Sequence, residues 1–234
     1  MLKKPRLSAK QRKAAIVQAA LPLFARKGYA ETTTKDLARA AGVSEPLLYR
    51  HFPSKEALYV EIQNLSCQGS DPSTRKFLHL ITGLEPSTST LVHLVYYLVR
   101  AQVLGKPFGA IEWETRQRLM VKSCLEDGVF ARLMYQNRFD AFCARIEACL
   151  DAAVAAGDAL KTPLSHGNNA RFAHHLAAWL ALVHLPVKPV VKYNVSREEL
   201  VHQAAWFILC GMGLTRKAIA DHYNPKMLDL YFDS

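Results

Sequence analysis

Apolar side chains recur along this chain at helical spacing, and period-2 alternation never lasts long enough to suggest a sheet. From Ser8 to Lys27, Ile16, Ala20, Leu23 and Phe24 fall at i, i+4, i+7 and i+8, one stripe of an amphipathic helix. Gly28 is expected to stop that helix where a positive φ is cheap, letting Tyr29 fold back onto the core. Thr33, with Asp36 three residues on, reads as a capping box opening a second helix over 34–41, buried through Leu37, Ala38 and Ala41. Gly42 supplies a tight turn, Val43 plugs it, and Ser44 caps a third helix. Pro46 is tolerated there because first-turn amides have no helical partner. A fourth helix starts at Lys55 and runs through Leu58, Ile62 and Leu65, fading near GSDPS. Further helices are predicted over 73–82, 88–104, 109–126, 129–156, 168–185 and 197–221, separated by Gly- and Pro-rich breaks such as GLEPSTS, GKPFG and LPVKPVVKYN. Ser196 with Glu199 reads as another capping box. The fold class is all-α.

Charge divides the chain unevenly. Residues 1–55 hold twelve Lys and Arg against three acids, whereas 56–234 hold eighteen against seventeen. A basic head on a near-neutral body is the electrostatic footprint of a polyanion-binding module. A solvated arm accounts for the cations of residues 3–13, but not for Arg39, Arg50 and Lys55, which lie within patterned helices. The five scattered cysteines form no CxxC pair, which fits free thiols in a reducing cytoplasm better than a zinc site or a disulfide frame. The apolar runs are too short and too interrupted to span a bilayer. No apolar stretch with a cleavage site follows the basic start, so no secretory leader is expected. The histidines and cysteines show no patterned acid or base partner, so no catalytic residue, metal ligand or cofactor is expected.

Two short helices joined by a glycine-containing turn in a basic setting form a helix-turn-helix. Its second helix enters the major groove with its N-terminal residues facing base edges. Val43, Leu48 and Phe52 would hold that helix to the domain. Ser44, Glu45, Pro46 and Leu47 lie on or near the groove side, while Tyr49, Arg50, His51 and Lys55 are donors within reach of phosphates. Leu47 and Leu48 cannot both be buried on so short a helix, and an exposed Leu47 suits a thymine methyl. Glu45 suits a cytosine amino group, with a simple helix-N-terminal role as the alternative.

The segment ARKGYAETTTKDLARAAGVSEPLLYRHFPSKEALYVEI, within residues 12–62, resembles the DNA-binding domain of TetR/AcrR-family transcriptional regulators. The shared elements are the G-Y-x-x-T-T stretch, the A-x-x-A-G-V-S turn, the L-Y-x-H-F helix and the K-E-x-L start of the fourth helix. The resemblance implies an all-α homodimer: an N-terminal three-helix helix-turn-helix domain and a C-terminal helical domain for ligand binding and dimerisation. The implied activity is binding of a palindromic double-stranded DNA operator, with release by a small-molecule effector that the sequence does not identify. It assigns base contacts to Ser44, Glu45, Pro46 and Leu47, and phosphate contacts to Thr33, Tyr49, His51 and Lys55. Arg50 falls on a variable position of the motif. A DNA-organising or partner-controlled regulator that needs no ligand is the alternative.

The corresponding division is a basic arm over 1–12, the helix-turn-helix over 13–55, an effector and dimerisation domain over 56–221 and a tail over 222–234. Helices 168–185 and 197–221 are apolar around much of their circumference and rich in small residues. They are the expected dimer contact, through Trp179, Ala181, Trp206, Leu209 and Gly213; an internal core is the alternative. A ligand pocket is expected among helices 88–156, from Tyr96, Arg100, Trp113, Arg116, Met120, Met134 and Phe139. An aromatic stripe at helical spacing also fits a plain core.

Overall fold

The computed structural model describes residues 7–67, 79, 82–105, 113–135 and 139–233. The basic arm up to residue 6, and most of the helix expected over 73–82, lie outside the described residues. Those described build helices without a β-strand; an isolated antiparallel bridge joins Ala159 to Leu214. They fall into two compact units, one drawn from residues 1–68 and 110–135, the other from 69–109 and 136–234.

The first unit holds α1 (Ala9–Glu31), α2 (Thr34–Ala40), α3 (Glu45–His51), α4 (Lys55–Cys67), α6 (Trp113–Leu125) and α7 (Val129–Met134). Ser8 opens α1 by a capping box: its hydroxyl accepts from the Gln11 amide at 3.2 Å, and the Gln11 side chain accepts from the Ser8 amide at 2.9 Å. At Gly28 the backbone turns to φ +82°, as the sequence suggested, but the chain then resumes helical turns to Glu31. Ile16, Val17, Ala20, Leu21 and Phe24 of α1 are buried against Leu37 and Ala38 of α2, Leu48 and Phe52 at α3, and Leu58, Tyr59 and Ile62 of α4. Leu119 of α6 and Phe130 of α7 complete the same core. Each large apolar side chain so buried contributes roughly 1.5–3 kcal/mol. The core therefore runs well past residue 55, and α6 packs along α1 more extensively than any other helix does.

The second unit is built around α5 (Thr88–Val103), where Leu91, Val92, Leu94, Val95, Tyr96, Tyr97, Leu98, Val99 and Arg100 are all buried. A helix apolar on every side belongs at a centre. α8 (Asp140–Ala155), α9 (His166–Leu182) and α10 (Arg197–Gly211) pack around it.

Two expectations need correction. The helix foreseen over 197–221 is two, α10 and α11 (Arg216–His222), divided at Gly213, where φ is +96°. Thr215 then caps α11, its hydroxyl accepting from the Ala218 amide at 3.1 Å. The tail folds as well, into α12 (Pro225–Asp233), which buries Leu228. Asp229 fixes it: one carboxylate oxygen accepts from the Tyr96 hydroxyl, and the other lies 3.4 Å from His202 Nε2.

Candidate nucleic-acid interface

The helix pair α2–α3 is set by caps and a turn. The Thr33 hydroxyl accepts from the Asp36 amide at 3.1 Å and the Ser44 hydroxyl from the Leu47 amide at 3.4 Å. Between them Ala41 and Val43 donate to the carbonyls of Leu37 and Ala38 at 3.0 Å each, while Gly42 takes φ +61°. Leu48 and Phe52 are buried and hold α3 to the core, with Val43 packed against its edge. That leaves Ser44, Pro46, Tyr49 and Arg50 exposed, and Glu45, Leu47 and His51 half-buried. The ambiguity between the two leucines is thus resolved: Leu48 is the anchor, and Leu47 sits on the outer side.

Glu45 is tied back to α2, its carboxylate accepting from the Thr34 hydroxyl at 3.1 Å. It spans the turn as a brace while its other carboxylate oxygen stays available. Thr33 is exposed beside it.

Lys55 is tied back to the end of α1. Its ammonium donates to the carbonyl oxygens of Tyr29 at 2.8 Å and Thr32 at 3.2 Å, and lies 4.2 Å from the centre of the Tyr29 ring. These carbonyls end α1, so the ammonium caps them and favours the negative end of the helix dipole. Its neighbour Glu56 accepts from the Tyr29 hydroxyl, and that bond holds the Glu56 carboxyl down at about 2. Burial, and then Glu56, push the Tyr29 hydroxyl well above its usual range. The Tyr29 ring rests at 4.9 Å from that of Tyr59. Gly28 makes the bend possible at the point where the carboxylate of Glu126, just past α6, lies against it.

Other cations of the head are engaged internally too. Lys27 pairs with Asp36 at 2.9 Å, which lowers the Asp36 carboxyl, and Lys13 pairs with Glu61 at 3.1 Å. Lys35, Arg39 and Arg50 are exposed and have no ion pair among the described residues. Lys35 and Arg39 share one face of α2 by their i, i+4 spacing. That spacing was present in the sequence, yet only Arg50 of the three was singled out as a phosphate contact.

The other expected sites are less unified. Trp113, Arg116, Met120 and Met134 belong to the first unit, where Met120 and Met134 pack against its core; Tyr96, Arg100 and Phe139 belong to the second. Neither unit by itself gathers the expected pocket. Of the expected dimer contacts, Trp179 and Trp206 are exposed, at 63% and 45%. Ala181 and Leu209 are fully buried within the second unit, and both are corrected to internal core. Gly213 is half-buried against its own chain: a Cβ there would meet the Leu160 carbonyl oxygen at 2.7 Å. Among the described residues no three His, Cys, Asp or Glu side chains gather as a metal site, and no helix is long and apolar enough to cross a membrane.

Residues 16–62 match the family model described as bacterial regulatory proteins, tetR family. The nucleoid occlusion factor SlmA of Haemophilus ducreyi is 35% identical over 104 residues, 42% of this chain and 48% of that protein. The transcriptional regulator EthR of Mycolicibacterium smegmatis is 44% identical over 57 residues, 24% of this chain and 26% of that one. The chain thus spans between about a quarter and about half the length of these curated relatives. The crystal structure of AibR in complex with isovaleryl coenzyme A and operator DNA aligns with a TM-score of 0.59 at 18% identity, covering 84% of this chain and 97% of that one. At that identity the likeness establishes the fold. Over residues 16–62 the chain thus carries a helix-turn-helix domain of the tetR family of bacterial regulatory proteins.

Proposed function

We propose that the chain is a cytoplasmic, sequence-specific DNA-binding regulator that acts as a homodimer on a palindromic operator and is released from it by a small-molecule ligand. The observation that carries the reading is the outward set on α3. Ser44, Pro46, Leu47, Tyr49 and Arg50 reach solvent on a helix whose inner side, Leu48 and Phe52, is spent on the core. Hydroxyl, apolar and carboxylate groups at the start of that helix suit base edges, and the cations after them suit phosphates. Lys35 and Arg39 extend the phosphate set along α2, and Lys55 leaves it for a structural role. Two recognition helices must lie about 34–36 Å apart to enter successive major grooves, so a change in their separation switches binding.

The chain path supplies a means of coupling. It passes between the two units three times, so α4, α6 and α7 of the DNA-reading unit are each continuous with the second unit. A ligand favouring one arrangement of the second unit biases the first through those segments. The AibR complex, holding both an acyl coenzyme A and operator DNA, supports ligand control in this fold. Thiol-based sensing is less favoured. Burial pushes the Cys143 thiol up to about 11 and raises Cys149 and Cys210, which suppresses the reactive thiolate.

The likeness to nucleoid occlusion factors favours a second reading, a DNA-organising protein. Mapping the chromosomal fragments that the protein occupies in its host separates the two. A few promoter-proximal sites support the regulator; many sites spread along the chromosome and remote from promoters support the organiser.

A further inference from the structure

Pro186 to Glu199, the link after α9 together with the first turn of α10, is a run of fourteen consecutive exposed residues. It is far from uniformly polar: Val187, Val190, Val191, Tyr193 and Val195 all stand in solvent. Yet its base is fastened, because the Val190 amide donates to the Val183 carbonyl at 2.9 Å and Tyr193 stacks on His184 at 5.8 Å. Two prolines in PVKPVV disfavour helix, and the segment runs as a series of bends. Lys188 and Lys192 are interspersed, with no ion pair among the described residues.

The second unit also carries an open groove of about 520 Å³ between α10 and α11. Trp206, Phe207, Ile219 and Tyr223 make its lining largely apolar, with Ala220 on it and Glu199 and Arg216 as its charged members. Glu198 is exposed next to it. Within one chain the valines remain exposed, so the segment does not fill the groove of its own chain.

We propose that residues 186–195 form an arm that lies, in the dimer, in the α10–α11 groove of a second copy of this chain. Three features select a second copy as the occupant. The valines of the arm match the apolar lining, and Lys188 and Lys192 match the acids Glu198 and Glu199. Trp206 and Phe207 continue the groove onto the exposed side of α10, where a partner was already expected. An exchange of this kind is self-complementary, since a two-fold axis gives each protomer one donated arm and one filled groove. The proposal rests on the homodimer reading and adds to it a specific contact outside the helix-to-helix face.

The test combines light scattering with cysteine pairing in the full chain. V190C and A220C are made separately, each on an exposed position, then mixed and oxidised beside each variant alone and the unmodified protein with its native cysteines. A covalent dimer that forms in the mixture well above all three controls supports the exchange. A non-covalent dimer by light scattering with no mixture-specific covalent band overturns the arm while leaving the dimer standing. A monomer at micromolar concentration overturns both. As a second measurement, Val187, Val190 and Val191 are changed together to Ser, which alters only exposed side chains. A dimer dissociation constant raised tenfold or more, with the melting transition of the dissociated chain unchanged, supports the arm; an unchanged constant overturns it.

Discussion

The ammonium of Lys55 sits 2.8 Å from the carbonyl oxygen of Tyr29, joining the first residue of α4 to the bend that ends α1. A side chain that reads from sequence as a phosphate contact is thereby part of the frame that sets the recognition helix. Lys55→Ala leaves two carbonyls without their charged donor. It is expected to cost about 1.5–3 kcal/mol of stability in the first unit, the usual worth of hydrogen bonds to a charged group. Urea unfolding followed by circular dichroism checks this. Unchanged unfolding, with only the salt dependence of DNA binding reduced, would return Lys55 to the phosphate set.

Glu56, next in the chain, gives a pH dependence with a definite sign. Its carboxyl is lowered from 4.5 to about 2 in the folded protein, first by the Tyr29 hydroxyl bond. Stability from a depressed acid is fully present above the unfolded value and is lost as pH falls towards the folded one. Glu56→Gln is therefore expected to be less stable than the parent near neutral pH, with the difference closing as pH falls through about 2. Melting temperatures of both proteins across that range give the comparison. A difference that grows on acidification contradicts the assignment.

Gly28→Ala meets two obstacles at once, a φ of +82° and the Glu126 carboxylate. The backbone component alone is expected to cost about 1–2 kcal/mol. Adding Glu126→Ala should recover the steric part but not the backbone part. Full recovery in the double variant, measured by thermal unfolding, would mean that the backbone relaxes at no cost.

Glu45→Gln keeps an oxygen to accept from Thr34 but removes the charge. The expected result is an altered preference at one position of each half-site, by roughly 1–3 kcal/mol at the favoured base. Melting should stay within about 0.5 kcal/mol, as for a surface substitution. Competition binding with single-base operator variants reads the preference. If the profile does not move, Glu45 serves only as the brace between α2 and α3.

In α10, Leu209 is fully buried and Trp206, one turn before it, is exposed, and truncating each has a different expected effect. Leu209→Ala empties a fully buried site and should cost about 2–5 kcal/mol of folding stability. Trp206→Ala should leave folding nearly unchanged but weaken dimerisation by about 2 kcal/mol or more, as an interface anchor would. Analytical ultracentrifugation beside thermal melting distinguishes them. Equal effects of both substitutions on melting would place Trp206 in the core instead.

The head was legible in the sequence because its information is local. Caps at Thr33 and Ser44, the Gly42 turn and the helical spacing from Ile16 to Phe24 specify three helices and their inner faces. Which of Leu47 and Leu48 is buried follows only from the packing of Phe52 and α1 around them. The place of α6 and α7 was not legible, since Leu119 and Phe130 join the core of α1 across about a hundred residues without any local mark of that pairing. Ala181 was misassigned for a related reason. On a helix apolar over most of its circumference, composition cannot tell the side that meets α5 from the side that carries Trp179. Asp229 was missed because a helix of nine residues at the chain end owes its order to tertiary partners, Tyr96 and His202, rather than to its own pattern.

The central claim is that α3 reads sequence from the major groove as one of a pair. Selection of bound duplexes from a random DNA pool by the full-length protein, at two salt concentrations, tests it most directly. The expected product is a palindromic motif, its half-sites about one helical turn apart, that sharpens at the higher salt as nonspecific phosphate binding falls away. Strong binding that enriches no motif and vanishes at the higher salt would contradict the claim, leaving Lys35, Arg39 and Arg50 as a clamp for any duplex.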